Sequence, residues 1–415
     1  MDNTRSQLTI YSIFVLILVV LAGLIYANFR FAAQNPGGND FLARWMGANY
    51  WLVRGVSPYD PSVSLATQQA IYGHPADPAK GEDKNHFVYP LNSMLFFGPF
   101  GLLDYTWART LWMTVLELSL IALAILSLRL FEWKTKPFEM AVFVLFSLTW
   151  YHGMRTIVIG QFSAINALII FLGIYLVMVK RDFGAGLLLS LTTAKPQMIF
   201  LLLPFLVIWA ISTRRWELVW GILTGSFVQL GLTLALLPDW PRQMIMQILD
   251  YPTYTSIGSP LSIIAGAAPG IYRPINLFLH AVFLIYLLVE WYLALKKDEP
   301  HFLWTVLLTL VITNLVAFRT ATTNYVVLLP VLLYVFKIIQ ERWRIAGRIL
   351  TWFTLAALWG GLWAIFLATV KGNIEQPIMY LPLPFICLAG LWWVRWWAAH
   401  APRLPLELYL KKFPE

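Results

Sequence analysis

Residues 8–29 read LTIYSIFVLILVVLAGLIYANF, 22 residues without a charge among them. At 1.5 Å per residue such a helix covers about 33 Å, enough to cross a hydrocarbon core about 30 Å thick. A signal-peptide core is shorter, about 7–15 residues, so this run predicts a first transmembrane helix that stays in the chain. The pattern repeats at 105–130, 138–157, 160–179, 184–212, 216–237, 274–297, 301–318, 325–340, 349–370 and 377–398. Of 415 residues 59% are hydrophobic and only 12% charged, against roughly a quarter charged in a soluble domain. A surface so poor in charge must largely face lipid. The formal net charge of +9 comes from Lys and Arg in pairs between apolar runs, not from one patch, so no nucleic-acid partner is expected. The single cysteine, Cys387, lies in the last run and excludes an intrachain disulfide or a Cys-based metal site.

Alternating crossings put Lys134 and Lys136, Lys180 and Arg181, Arg214 and Arg215, Lys296 and Lys297, the trio Arg342, Arg344 and Arg348, and a tail with Arg395, Arg403, Lys411 and Lys412 on one side. Arg and Lys resist translocation, so that side is the cytoplasm. Two segments need a choice. Residues 91–103 are short and contain Pro99, which predicts an interfacial or re-entrant piece on the outer side. Residues 184–212 have cations at both ends and Lys195-Pro196 in the middle, which predicts a hairpin of two short helices with its tip outside. The expected fold is therefore an all-α polytopic membrane protein of about twelve segments with both termini inside. It is read as one integral membrane domain over 1–415: a first helix at 8–29, an outer loop at 30–104 carrying amphipathic helices, further membrane helices over 105–398, and a cytoplasmic tail at 399–415. A second outer stretch runs over 238–273, and short outer links over 155–161, 319–324 and 371–377. No internal repeat is visible, which weighs against a two-halved transporter.

Polar groups at membrane depth or on its rim are costly and mark candidate sites. Asp40 comes first, in Gly37-Gly38-Asn39-Asp40-Phe41-Leu42-Ala43-Arg44-Trp45. Phe41, Trp45, Ala48 and Leu52 recur at helical spacing, which predicts an amphipathic helix with Asp40 near its N-terminus; the bland alternative is a helix cap. Arg44 in the same stretch is a substrate-binding candidate. Gly55-Val56-Ser57-Pro58-Tyr59-Asp60-Pro61 reads as a rigid turn with Asp60 capping the next helix and Tyr59 available to a substrate. In Phe87-Val88-Tyr89-Pro90, Pro90 holds Tyr89 extended, so its phenol either enters a cavity or anchors at the interface. Gln161 and Asn166, in Gly160-Gln161-Phe162-Ser163-Ala164-Ile165-Asn166, suit sugar hydroxyls or helix–helix hydrogen bonds. Lys195 needs either an anionic ligand such as a lipid phosphate or an internal carboxylate such as Glu117, the one carboxylate placed near mid-membrane. Arg319 and Asn324 form a second polar cluster at the outer edge.

There is no Walker loop, no dinucleotide loop and no HExxH spacing. His86 and His152 fall near the outer face, unpaired at metal-ligand spacing. No cofactor or metal is expected, so any reaction needs a pre-activated substrate. A sugar on a lipid phosphate is one, requiring a base, a cation for the phosphate and a shaped cavity.

The ordered series Asn39-Asp40-Phe41, Gly55-Val56-Ser57-Pro58-Tyr59-Asp60, Phe87-Val88-Tyr89-Pro90, Gly160-Gln161, Ala194-Lys195-Pro196 and Arg214-Arg215-Trp216 resembles glycosyltransferase family 87. These polyprenyl-phosphate-sugar-dependent enzymes include actinobacterial mannosyltransferases of phosphatidylinositol mannoside synthesis. The resemblance runs over about residues 8–340 and implies a GT-C-type bundle in the cell membrane. It further implies a polyprenyl-phosphate sugar donor, a lipid or glycan acceptor and an active site on the extracytoplasmic side. Asp40 matches the family's catalytic aspartate, a general base in an inverting transfer of a hexosyl, by analogy mannosyl, unit. Lys195 and the 319–324 cluster would face the donor phosphate. Two positions depart from the pattern: the family's Tyr-Pro-Pro is Tyr89-Pro90-Leu91 here, and Asn324-Tyr325 stands where the family often has histidine. Asn324 can donate a hydrogen bond but cannot carry charge, which leaves Arg319 to supply a cation. A transporter or lipid flippase, which would not need a 75-residue outer loop (30–104), is the alternative from another class, and an inactive assembly or scaffolding protein a third.

Overall fold

The computed structural model describes residues 2–254, 258–297, 299–318, 320–371 and 374–399. Arg319 and the tail beyond 399, with Arg403, Lys411 and Lys412, lie outside them. The described chain is helical: α1 (Asp2–Gln34), α2 (Asn39–Arg54), α3 (Pro61–Tyr72), α4 (Met94–Gly101), α5 (Tyr105–Leu130), α6 (Pro137–Thr149), α7 (Tyr151–Ile159), α8 (Ser163–Met178), α9 (Asp182–Ser190), α10 (Leu202–Ser212), α11 (Trp216–Leu236), α12 (Trp240–Asp250), α13 (Pro260–Ala265), α14 (Tyr272–Ala294), α15 (Glu299–Val316), α16 (Leu329–Thr369) and α17 (Pro382–Ala399). No strand occurs among the described residues, as expected where lipid cannot satisfy open backbone groups. Six helical segments are long and apolar enough to cross a membrane, or seven if the α6–α7 pair, bent by 50°, is one span. The expected dozen segments exceed that number because the chain breaks several apolar runs into short helices such as α8 and α10.

The chain forms two compact units. The first contains 1–122, 153–166 and 227–256. Here α2 buries Phe41, Leu42, Ala43, Arg44, Gly47 and Ala48 and lies on α4. A Cβ on Gly101 would stand 2.7 Å from that of Ala48, and Asn49 donates to the Gly101 carbonyl at 2.9 Å. Leu52, expected on the apolar stripe, is exposed; it lies in the last turn of α2, beyond the buried face, which ends at Ala48 and takes in Arg44. Phe41 stacks on Trp112 at 5.0 Å, and Trp112 donates to the Gly160 carbonyl at 2.9 Å. Asp60 caps α3 through the Ser62 N–H at 2.8 Å. In α5, Glu117 accepts from Asn28 of α1 at 2.7 Å, which satisfies this carboxylate from its neighbouring helix.

The second unit contains 123–152, 167–226 and 257–415. Arg215, just after α10, donates to both oxygens of Asp182 at the start of α9, Nε to Oδ2 at 2.7 Å. The ends of 182–215 therefore meet, and the chain between them runs out and back. Short 3-10 turns, Leu191–Ala194 and Pro196–Met198, flank Lys195 at the turn, in agreement with the expected hairpin. Glycines let α11 approach α9: a Cβ on Gly186 would lie 2.5 Å from the Leu218 carbonyl, and one on Gly221 2.3 Å from that of Phe183. Arg344 (φ 47°, ψ −110°) breaks α16 into two helices, where a cytoplasmic link was expected. Glu290 of α14, 4% exposed, holds Arg395 of α17 through two hydrogen bonds of 2.9 Å.

Candidate active site

Asp40 stands in the first turn of α2. The helix is capped by Gly38 in the left-handed conformation (φ 84°, ψ 45°), not by Asp40. A Cβ on Gly38 would meet the Arg109 guanidinium at 2.7 Å; Arg109 in turn donates to the Asn35 and Val158 carbonyls and fixes the entry to α2. The Asp40 side chain is half-buried, and no hydrogen bond or ion pair engages its carboxylate among the described residues. The cap alternative therefore does not describe it: the carboxylate is at a helix N-terminus, where a negative charge is favoured, and its oxygens are free to accept.

One turn on, Arg44 is 8% exposed. Its Nη1 donates to the His86 carbonyl at 3.2 Å, and its Cζ lies 4.6 Å from the centroid of the Tyr89 ring. Tyr89 is buried, with its hydroxyl 3.3 Å from Gln161 Oε1. Burial raises the Tyr89 pKa, opposed by the Arg44 charge and helped by that of Asp40, so the phenol stays neutral. Gly160 (φ 75°) places Gln161, and its missing Cβ leaves room for Phe41. Tyr59 is buried beneath this layer and donates to the Tyr89 carbonyl at 2.6 Å, so its hydroxyl supports Tyr89 from behind. Asp83 completes the first-loop side. Burial pushes its pKa up and the Asp40 charge adds to this, while the Asn85 N–H, Arg44 and His86 pull it down.

The second loop meets the first. Ser57 bonds Gln243 at 2.6 Å, and Gln247 bridges the Val88 N–H (3.2 Å) and the Tyr59 carbonyl (3.0 Å). Asp250 accepts from Lys84 at 2.9 and 3.1 Å and faces His86 Nε2 at 3.1 Å. Tyr251 follows; burial raises its pKa first, and the charges of Asp83 and Asp40 raise it further.

The remaining candidates belong to the second unit. Lys195 is 1% exposed, between the two 3-10 turns of the hairpin. Asn324, 2% exposed, lies in the 3-10 segment Thr322–Leu328 with its Nδ2 3.4 Å from Thr320 Oγ1. Glu375 reaches the same segment, accepting from Thr322 at 2.7 Å and from Tyr151 at 2.6 Å. Arg319 is outside the described residues.

The family model of glycosyltransferase family 87 matches residues 87–318, more than half of the chain. The chain belongs to glycosyltransferase family 87. No curated protein and no solved structure matches. This family 87 protein is thus a membrane glycosyltransferase, and the matched region takes in Tyr89, Gln161, Lys195 and the second loop, while Asp40, Arg44 and Tyr59 lie before it and Asn324 after it.

One turn from Asp40 the family 87 fold joins Arg44 to Tyr89, and Tyr89 to Gln161 and Tyr59, all singled out by sequence. Asp83, Lys84, Asp250 and Tyr251 were not, nor was Glu375. Lys84 and Asp250 are 166 residues apart with no shared motif. The one local signal was compositional: Glu82-Asp83-Lys84-Asn85-His86 is an uninterrupted polar run inside an otherwise apolar chain.

Proposed function

We propose that this glycosyltransferase moves a hexosyl unit from a polyprenyl-phosphate sugar to a hydroxyl of a lipid or glycan acceptor on the extracytoplasmic side, with Asp40 as general base. The acceptor oxygen attacks the anomeric carbon and its proton passes to the Asp40 carboxylate. The bond to phosphate breaks, its electron pair leaves with the polyprenyl phosphate, and the configuration inverts. The observation that carries this reading is the half-buried, unengaged Asp40 carboxylate at the first turn of α2, beside the buried Arg44 and the neutral Tyr89. A base must have an open lone pair aimed into a partly dry space. The donor phosphate is assigned to Lys195 and to the turn carrying Arg319 and Asn324, because a lysine only 1% exposed at the turn of an apolar hairpin suits a lipid-borne anion. Mannose is the sugar that the family resemblance favours. About twelve crossings, counting the short helices and the hairpin, place both termini in the cytoplasm.

The test incubates purified protein with radiolabelled polyprenyl-phosphate mannose, or glucose, and total membrane lipid, and looks for a new glycolipid. Asp40→Asn keeps size and shape but removes the base, so transfer should fall by roughly 10²–10⁴-fold while the protein still purifies as a folded species. Transfer at the unaltered rate in that variant removes Asp40 from the mechanism.

A further inference from the structure

Helix α12 presents a puzzle in its packing. Trp240 and Gln247 are its only buried residues, while Ile245, Met246, Ile248 and Leu249 are exposed. Apolar burial therefore contributes little to its seat on the first loop. What holds it is polar: Ser57 to Gln243, Gln247 to Val88 and Tyr59, and at its far end Asp250 to Lys84 and His86. Those contacts land on the segment that shapes the site. Val88 has φ 27°, a conformation that a β-branched residue adopts only when its surroundings impose it, and the Gln247 side chain receives its N–H. Arg44 grips the carbonyl of His86, whose ring faces Asp250. Displacing α12 would release the 84–89 segment and, with it, the seat of Arg44.

We propose that Asp250 is a positioning residue of the transfer reaction: held by Lys84 and His86, it pins the 240–254 segment to the first loop so that Arg44 and Tyr89 keep their places beside Asp40. The proposal rests on the Asp40 reading above for its catalytic consequence, but not for the clasp itself. The Lys84 ammonium on a half-exposed carboxylate makes a contact strong enough to order a segment yet open enough to release it. The residue touches neither donor nor acceptor; it acts through Arg44 and Tyr89.

The experiment uses the full-length protein in detergent or nanodiscs, with transfer kinetics beside amide hydrogen exchange. Asp250→Ala should raise exchange in 84–89 and 240–254 alone and lower kcat by roughly ten- to a hundredfold, the effect of misplacing a site by about an ångström, with donor KM unchanged. Asp250→Glu should retain more activity than Asp250→Ala. The exchanged pair Lys84→Asp with Asp250→Lys should recover part of what each single change loses. Wild-type kcat in Asp250→Ala overturns the proposal, and so does unaltered exchange in the two segments. Exchange that rises across the membrane helices as well points to a general folding role and also overturns it. Asp40→Asn serves as the separate control. It should abolish transfer without changing exchange at 240–254, so a failed base assignment and a failed clasp give different results.

Discussion

At the scale of single residues, positions next to the site are constrained by backbone as much as by side chain. Gly160 has φ 75°, and a Cβ there would sit 2.4 Å from that of Phe41. Gly160→Ala must pay the left-handed penalty and displace the Phe41 ring, together about 2–4 kcal/mol. Its thermal unfolding midpoint in detergent should fall by several degrees, whereas Gly231→Ala, with nothing within 4 Å of its added methyl, should leave it nearly unmoved; equal midpoints would show that the strand of chain before α8 yields easily. Asp40 was legible in the sequence because a carboxylate just before a helical apolar stripe is locally odd. Arg44, Tyr89 and Gln161 stood out for the same reason, polar groups among apolar neighbours. Asp250 has no such local mark. Its role exists only once Lys84 and His86 are brought to it, and a non-local ion pair leaves no periodicity to read.

At the scale of elements, the 182–215 hairpin is the clearest case of charge placement setting a fold. Cations at both ends of one apolar run predicted a return, and the structure adds the lock, Asp182 with Arg215. Both side chains are under one-fifth exposed, so removing one partner leaves the other charge poorly solvated. Arg215→Met should cost about 3–5 kcal/mol, and the double change Asp182→Leu with Arg215→Met should recover most of it. Thermal unfolding of the three variants decides this; a single variant as stable as the parent would mean that the Gly186 and Gly221 contacts with α11 suffice. In α2 sequence placed the helix and Asp40 rightly but misjudged one position of its buried face. Its apolar spacing predicted a stripe ending at Leu52, but the buried face ends at Ala48 and takes in Arg44, whose guanidinium finds the His86 carbonyl and the Tyr89 ring inside. Periodicity registers which residues are apolar, not which polar residue will find partners when buried.

At the scale of the whole molecule, contacts between loops constrain the number of crossings. Tyr89 of the first loop bonds Gln161, and Ser57 bonds Gln243 of the second. Loops that touch lie on one side of the membrane, so the chain must cross an even number of times between them. From the first loop to Gln161 it has α5 and the bent α6–α7 pair. From Gln161 to the second loop it has α8, the α9–α10 hairpin and α11. Counting that hairpin as an out-and-back pair keeps the number even, and counting it as one crossing does not. The proposed orientation then expects the links carrying Lys134, Lys180 and Lys297 on the opposite side, where their charge favours the cytoplasm. Cys387, 1% exposed, is a silent thiol, and Cys387→Ala gives a clean background for added cysteines. Gln69→Cys, on the exposed side of α3, should react in intact cells with a maleimide that cannot cross membranes. Lys134→Cys, exposed between α5 and α6, should react only after the membrane is opened. Reversed labelling would put the Asp40 loop in the cytoplasm, where a donor need not be carried across the membrane. Labelling of both in intact cells would mean that α5 does not carry the chain across the membrane between them.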